Sequence, residues 1–252
     1  MLKVRVIPTL LFKSMGLVKG VGFNSWRRTG DALQAIRVYN MREVDEIVFM
    51  DISATPEKSE PDYAIIDDLA DECFMPMTVG GGVRDVDSIR KMLSVGADKV
   101  LVNTAAFENP ELIRDGASTF GTQCIVVGID VQQCNNGTWE VVTHCGSKPQ
   151  QRDPVSWARQ AQDLGAGELI ITSVERDGTM DGYAIDITCE IADAVSIPVI
   201  ASGGAGNYQH MVDVLARGNV DAVAAASIYH FTEQTPREAK RYLRDHGINV
   251  RL

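Results

Sequence analysis

Residues 79–100 read VGGGVRDVDSIRKMLSVGADKV, and residues 201–223 read ASGGAGNYQHMVDVLARGNVDAV. Both segments pass from an apolar stretch through a glycine-rich turn and an amphipathic stretch into a second apolar stretch, and they lie about half the chain apart. Self-similarity at a fixed offset is the signature of a repeated structural unit. The sequence therefore predicts a fold built from two related halves.

Short runs rich in Val, Ile and Leu alternate with amphipathic segments along the chain, which is typical of parallel strands buried on both faces and joined by helices. Eight runs are predicted as strands, over residues 4–12, 46–52, 76–81, 99–103, 124–131, 168–174, 198–204 and 222–229. Eight β-α units in 252 residues indicate an α/β fold of the closed (β/α)8 TIM barrel type, expected as a single domain over residues 1–252. Asn136 and Gly137, after the fifth strand, predict a small hairpin.

The overall charge limits the classes of partner. The chain has 34 acidic and 24 basic residues and a net charge of -10, which argues against a nucleic-acid surface or an anionic membrane patch. No apolar run reaches the length of a membrane span, and no secretory signal pattern is present, so we expect a cytoplasmic protein. A phosphorylated ligand would have to be held by local backbone dipoles.

Glycines and hydroxyl side chains follow four predicted strands, where backbone N–H groups can converge on an anion. The first cradle consists of Gly80, Gly81, Gly82, Asn103 and Thr104. The second cradle consists of Asp177, Gly178, Gly203, Gly204, Ala226 and Ser227. Two matching cradles predict a small ligand with a phosphate at each end, and the alternative is that the glycines only form tight turns.

Carboxylates and lysines at the same ends are candidates for chemistry. Asp130 ends the fifth strand and is predicted as a general acid or base, with a loop-anchoring hydrogen bond as the alternative. The corresponding position at the end of the first strand is Leu11, so the partner carboxylate is missing. Asp51 and Lys19 are candidate substrate contacts. The alternatives are that Asp51 anchors its loop by hydrogen bonds and that Lys19 is simply solvated. The long segment after the first strand, through residue 31, predicts a functional loop or mobile lid.

Four predicted strands begin near a charged residue: Arg5, Glu46, Lys99 and Glu168. If these side chains point inward, they can close a neutral salt-bridged ring across the barrel bottom. Removing one member would leave a buried charge uncompensated, at about 3–5 kcal/mol. The alternative is that the strand beginnings are solvated. A ring that can open would act as a gate.

The chain resembles the cyclase subunit of imidazole glycerol phosphate synthase in the segments MLKVRVIP, DEIVFMDI, TVGGGVRD, GADKVLVNTAA, RDGTMDGY, ASGGAG and HGINVRL. The resemblance implies a barrel that takes ammonia from a glutaminase subunit docked on its bottom and uses it at the top on a bisphosphorylated ribonucleotide. It implies no cofactor and no metal. It assigns an ammonia gate to Arg5, Glu46, Lys99 and Glu168, and a partner interface to Asp98. It assigns phosphate binding to Gly82, Asn103, Thr104, Asp177, Gly178, Gly204, Ala226 and Ser227.

The chemistry departs from that family. Its cyclases have aspartates at the ends of strands one and five, whereas this chain keeps Asp130 and has Leu11 in TLLFK, where cyclases read CLDVK. One acid–base group contributes about 10²–10⁴ in rate, so cyclase activity is expected to be poor. The pattern over residues 10–19 is similar to a branch of the family linked to acetamidino modification of surface sugars, where the barrel and a glutaminase supply ammonia to a separate amidotransferase. Residues 144–147 also depart from the cyclase pattern.

Three functions are left open. The leading hypothesis is an ammonia-conducting barrel that serves amidination of a surface sugar. The alternative is a genuine cyclase of histidine biosynthesis, in which Asp130 works with another group such as Asp51. The third is a non-catalytic barrel that binds a phosphorylated ligand and regulates its partner. The isomerase barrel of the same pathway is disfavoured because it also needs carboxylates at both strand ends.

Overall fold

The structure, a computed structural model, describes residues 3–14 and 16–252. Within them the strands are β1 (Arg5–Lys13), β2 (Gly16–Val21), β3 (Asn24–Gly30), β4 (Ile47–Asp51), β5 (Met77–Gly80), β6 (Lys99–Val102), β7 (Ile125–Gln133), β8 (Trp139–Thr143), β9 (Lys148–Pro149), β10 (Glu168–Ser173), β11 (Val199–Ser202) and β12 (Ala222–Ala225). The helices are α1 (Ala32–Met41), α2 (Ala54–Glu57), α3 (Tyr63–Glu72), α4 (Val86–Ser94), α5 (Thr104–Glu108), α6 (Glu111–Phe120), α7 (Pro154–Asp163), α8 (Ile185–Ala194), α9 (Tyr208–Arg217), α10 (Ser227–Phe231) and α11 (Pro236–Asp245).

Eight parallel strands close into a barrel in the order β1, β4, β5, β6, β7, β10, β11 and β12. The barrel closes where β12 pairs with β1, with Ala222 beside Arg5. Helices follow the strands and cover the outside. The prediction of a closed (β/α)8 barrel is confirmed.

The alternation of side chains along the strands produces two apolar layers. On β7, Ile125, Val127 and Ile129 point outward and pack in the large core between strands and helices. Val126 points inward and belongs to a smaller apolar cluster inside the barrel. A strand buried on both faces therefore reads as a continuous apolar run, as the sequence indicated.

Local capping chemistry starts several helices. The side chain of Asp85 accepts a hydrogen bond from Ser88 N at 2.7 Å, which satisfies one of the free amides of the first turn of α4. Asp31, Asp62 and Asp153 do the same for α1, α3 and α7. No helix in the described part of the chain is long and apolar enough to cross a bilayer.

The segment after β1 is a hairpin rather than an irregular loop. The strands β2 and β3 pair antiparallel, and β2 also pairs with β1. Gly22 and Phe23, with φ of 57° and 58°, connect Val21 to Asn24. Positive φ at both central residues is the geometry of a type I′ turn, whose twist suits a hairpin. The predicted hairpin at Asn136 and Gly137 is also present, between β7 and β8.

The eighth barrel strand is shorter than predicted. It ends at Ala225, and the apolar residues Ile228 and Tyr229, which the sequence predicts as part of the strand, lie in the short helix α10. Periodicity cannot distinguish a short buried strand from a short buried helix, which explains the error.

Candidate functional site

Four charged side chains close the amino-terminal end of the barrel, which we call the bottom. Arg5 Nη1 donates to Glu46 Oε2 at 2.7 Å, and Lys99 Nζ lies 3.0 Å from both carboxylate oxygens of Glu46. Lys99 Nζ also donates to Glu168 Oε2 at 2.9 Å, and Arg5 donates to Glu168 Oε1. Each cation therefore contacts both anions. We call these four residues the bottom ring; the ring itself is present, and its role as a gate stays a prediction.

The anions of the bottom ring are its buried members. The side chains of Glu46 and Glu168 are 3% and 7% exposed, whereas those of Arg5 and Lys99 are 24% and 22% exposed. Thr78 Oγ1 gives Glu46 a further hydrogen bond at 2.8 Å. Burial alone lowers the pKa of Arg5, but the hydrogen bonds and charges of Glu168 and Glu46 outweigh it, so the pKa is raised.

Apolar side chains fill the barrel interior above the bottom ring; they are Ile7, Val48, Leu101, Val126, Ile170, Ile200, Ala222 and Ala224. Val48, Leu101 and Ile170 also line the cavity at the opposite end. An apolar layer thus lies between the ring and that cavity. Such a layer penalises ions far more than small neutral molecules.

Asp98 lies exposed at the bottom, just before β6. Its Oδ2 accepts the N–H of Met77, the first residue of β5, at 2.8 Å. Asp45 and Asp221 accept amides near the starts of β1 and β11 in the same way. The structure therefore gives Asp98 a part in holding the strand starts together, and its role at a partner interface stays a prediction.

A cavity of about 660 Å³ opens at the carboxyl ends of the strands, which we call the top. Its volume falls in the range of small-molecule sites. It brings together the predicted top-face residues, which are Leu11, Lys19, Asp51, Gly82, Asn103, Thr104, Asp130, Asp177, Gly178, Gly204, Ala226 and Ser227. Phe23 and Trp26 of the hairpin also line this cavity.

Asp130 and Leu11 face each other across the cavity, because β7 and β1 lie opposite in the eight-strand order. Asn103 Nδ2 donates to Asp130 Oδ2 at 2.9 Å. Burial, together with the charge of Asp177 and against the Asn103 hydrogen bond, raises the pKa of Asp130 to about 7. Such a group can accept or release a proton at neutral pH. Leu11 supplies no proton-transferring group on the other side.

Asp51 is held by its own loop. Its Oδ1 accepts hydrogen bonds from Ser53 N at 2.9 Å, Ser53 Oγ at 2.7 Å and Ala54 N at 3.2 Å. These bonds match the loop-anchoring alternative that the sequence left open. Asp51 lines the cavity, but the structure gives it a clear structural task.

The first cradle lies over β5 and β6. Gly82, with φ of 72°, donates its N–H to Thr55 Oγ1 at 3.3 Å. Thr104 begins α5, and its Oγ1 accepts the N–H of His144 at 3.0 Å. The Asn103 side chain is directed to Asp130. The three predicted phosphate contacts therefore lie together. Each of them already has a hydrogen-bond partner within the protein: Gly82 and Asn103 contact side chains, and Thr104 contacts a backbone amide.

The second cradle lies over β10, β11 and β12. Lys19 is buried and forms an ion pair with Asp177, and Asp177 O accepts the N–H of Gly22 from the hairpin turn. The buried hydroxyl of Ser227 has no hydrogen-bond partner among the described residues. An orphaned buried hydroxyl at a cavity wall is a group that a bound oxyanion would satisfy. A Cβ at Gly204 would lie 2.1 Å from a backbone oxygen, so a side chain does not fit there.

Several cavity residues were not predicted as site residues from the sequence, and Thr55 and His144 are two of them. Thr55 contacts the glycine loop of the first cradle, and His144 contacts Thr104 through its backbone. His144 and Cys145 both have positive φ, which is uncommon for residues with side chains. No sequence pattern shows these contacts, because they depend on how separate loops meet. Within the described chain, no cluster of three or more His, Cys, Asp or Glu is arranged to hold a metal.

The fold and the cavity define a closed (β/α)8 barrel with an internal repeat. Each half carries two glycines of positive φ after a strand, Gly81 and Gly82 in one half and Gly203 and Gly204 in the other. Each half then places a short helix, α5 or α10, after the next strand.

The family model described as histidine biosynthesis protein matches residues 5–235. The chain belongs to this family.

Proposed function

We propose that this chain is the barrel subunit of a glutamine amidotransferase. Ammonia released by a glutaminase partner enters at the bottom ring, crosses the apolar interior and reaches the top cavity. The observation that carries the proposal is the bottom ring itself. Buried ion pairs are often no more stabilising than apolar residues of similar size, so four of them across a barrel axis call for a reason other than stability.

Passage requires one corner of the bottom ring to open. Lys99 is suited to this movement because its flexible aliphatic chain can carry the ammonium group into solvent. Its departure would leave Glu46 and Glu168 bound by Arg5, which contacts both carboxylates. The ring would then present an opening toward the apolar interior, through which neutral ammonia passes more readily than ammonium.

An exposed apolar patch at the bottom supports docking of a partner. Phe74 is 86% exposed and Met41 is 73% exposed. The chain segments that carry them are joined, since Asn40 Oδ1, next to Met41 in sequence, accepts the N–H of Phe74 at 3.1 Å. Aromatic and Met side chains are enriched in protein interfaces. Together with the exposed Asp98, this patch supports a glutaminase seat around the ring.

The nitrogen serves amidination of a surface sugar by a separate amidotransferase, and not ring closure in this cavity. This part of the proposal is supported by Leu11, which leaves no carboxylate opposite Asp130 across the barrel. Losing one acid–base group costs about 10²–10⁴ in rate. The similarity of residues 10–19 to the sugar-modifying branch points in the same direction.

A genuine cyclase is the second candidate, and the environment of Asp130 favours it. A carboxyl whose pKa is raised to about 7 is suited to acid–base work at neutral pH. Asp51 is the helper that the sequence suggests, but its Oδ1 already accepts three hydrogen bonds.

The first experiment separates these two candidates. Formation of imidazole glycerol phosphate from the bisphosphorylated ribonucleotide is measured with excess ammonium, for the wild-type chain and for Leu11→Asp. We expect turnover only in the variant, since the substitution restores a carboxylate opposite Asp130. Strong turnover by the wild-type chain would establish the cyclase and reject the sugar branch.

A second experiment tests conduction in the complex with glutaminase and amidotransferase. The amide nitrogen of glutamine is labelled with ¹⁵N, and unlabelled ammonium is added to the solvent. The fraction of the product that carries ¹⁵N is then measured. Lys99→Ala is expected to reduce the labelled fraction, while Lys91→Ala, which removes an exposed lysine of α4, serves as the matched control. Equal labelling in both variants would favour a barrel that only regulates its partner.

A further inference from the structure

The Gly82 amide, the expected phosphate contact of the first cradle, is already occupied. Its N–H donates to Thr55 Oγ1 at 3.3 Å. The close approach is built into the backbone, because a Cβ at Gly82 would lie 2.7 Å from the Cβ of Ala54. The loop that follows β4 is therefore packed against the glycine turn, and Thr55 and Gly82 both line the cavity.

A hydroxyl oxygen that accepts an N–H keeps its own proton for donation, because it has one donor and two acceptor lone pairs. Thr55 is in this state through Gly82, and Thr104 is in the same state through the N–H of His144 at 3.0 Å. Both threonines line the cavity. The first cradle thus presents two hydroxyl protons whose oxygen atoms are held by backbone amides.

The two cradles differ at this position. Thr55 lies four residues after the end of β4, and Asp177 lies four residues after the end of β10. In the second cradle this position carries a carboxylate that is paired with Lys19, whereas the first cradle has a neutral hydroxyl. The repeat therefore places a donor in one half where the other half has an ion pair.

Two cations stand at the rim of the first cradle. Lys58 directly follows α2 as its C-cap, and Arg84 donates to Ser59 O at 2.9 Å, which ties it to the same loop. Both side chains line the cavity and are exposed to solvent. Their positive charge favours an anion at this end, while the hydroxyl groups supply directed hydrogen bonds.

We propose that Thr55 is a ligand-binding residue of the first cradle, whose hydroxyl donates to an oxygen of a phosphate group. The inference rests on the proposal that this cradle holds phosphate. On this side of the cradle the Thr55 hydroxyl, and not the Gly82 amide, donates to the phosphate, and the Gly82 amide orients that hydroxyl.

Calorimetric titration of the full chain with inorganic phosphate, in a phosphate-free buffer, tests the proposal. Thr55→Val keeps the shape and removes the hydroxyl, and binding at one site is expected to weaken about tenfold or more. Thr55→Ser restores the hydroxyl and should bind within about threefold of wild type. Thr119→Val removes an exposed hydroxyl on α6, outside the cavity, and is the matched control.

Ser227→Ala identifies the site, because it removes a hydroxyl of the second cradle. Thr55→Val must weaken the site that Ser227→Ala leaves intact. The inference is overturned if Thr55→Val binds like wild type, if Thr55→Ser is as weak as Thr55→Val, or if both alterations weaken the same site. Absence of saturable phosphate binding by the wild-type chain would overturn the cradle proposal together with this inference.

Discussion

Replacing Asp130 by Asn should stabilise the protein, and the gain should grow with pH. The folded pKa of Asp130 is raised to about 7, above the usual Asp value of about 3.9. The unfolded chain therefore releases this proton first, and the folded state loses stability as pH rises from about 4 to 7. Asn has nearly the same shape, carries no charge, and can still accept the hydrogen bond from Asn103.

The size of the effect follows from the pKa difference. Each pKa unit is worth about 1.4 kcal/mol, so the cost of the charge is about 4 kcal/mol at pH 8 and about 1.5 kcal/mol at pH 5. The advantage of Asp130→Asn should thus increase by about 2.5 kcal/mol between these two pH values. This figure is an upper bound, because a cavity that admits water reduces the penalty of burial.

The assay is urea unfolding of both proteins at several pH values, followed by circular dichroism and fluorescence so that a two-state transition can be verified. Asp51→Asn is the matched control. Its carboxylate accepts three hydrogen bonds, so no gain in stability is expected at pH 8. A difference between wild type and Asp130→Asn that does not change with pH would refute the reasoning that burial governs this carboxyl.

Three further substitutions test the packing around the barrel. Lys99→Met should lower the free energy of unfolding by about 3 kcal/mol, because two buried carboxylates then share one cation. A loss below about 1 kcal/mol, measured by urea unfolding, would contradict a closed ring. Lys240→Met breaks a buried ion pair with Asp45, formed at 3.0 Å, and should lower the thermal midpoint by about 6–12 °C. Gly81→Ala should destabilise the protein far more than Gly137→Ala in the same assays: both positions have positive φ, but a Cβ at Gly81 would lie 2.0 Å from a backbone oxygen and one at Gly137 meets nothing within 4 Å.

Much of the fold was accessible from the sequence because strands buried on both faces leave a strong apolar signal. Every barrel strand begins within one residue of its predicted start. The ends were less accurate, and the eighth was wrong because the apolar run continues into α10. The hairpin after β1 was missed, since the turn at Gly22 and Phe23 needs positive φ at a phenylalanine, which composition does not indicate.

The candidate site was predictable where it follows from topology. Parallel strands bring their carboxyl ends to one face, so residues that end strands meet there whatever their distance in sequence. Contacts between loops were not predictable. Lys19 and Asp177 are 158 positions apart, and their ion pair depends on how the hairpin packs over β10. The contact between Thr55 and Gly82 likewise depends on the approach of two loops.

The aspartates at the strand starts have a consequence for the dynamics of the bottom face. Terminal residues of strands usually fray, but Asp45, Asp98 and Asp221 each hold an amide of a neighbouring strand. These amides should exchange slowly with deuterium although they lie at the rim. A protein that docks on this rim then meets a surface that is already ordered, so little conformational entropy is lost on association.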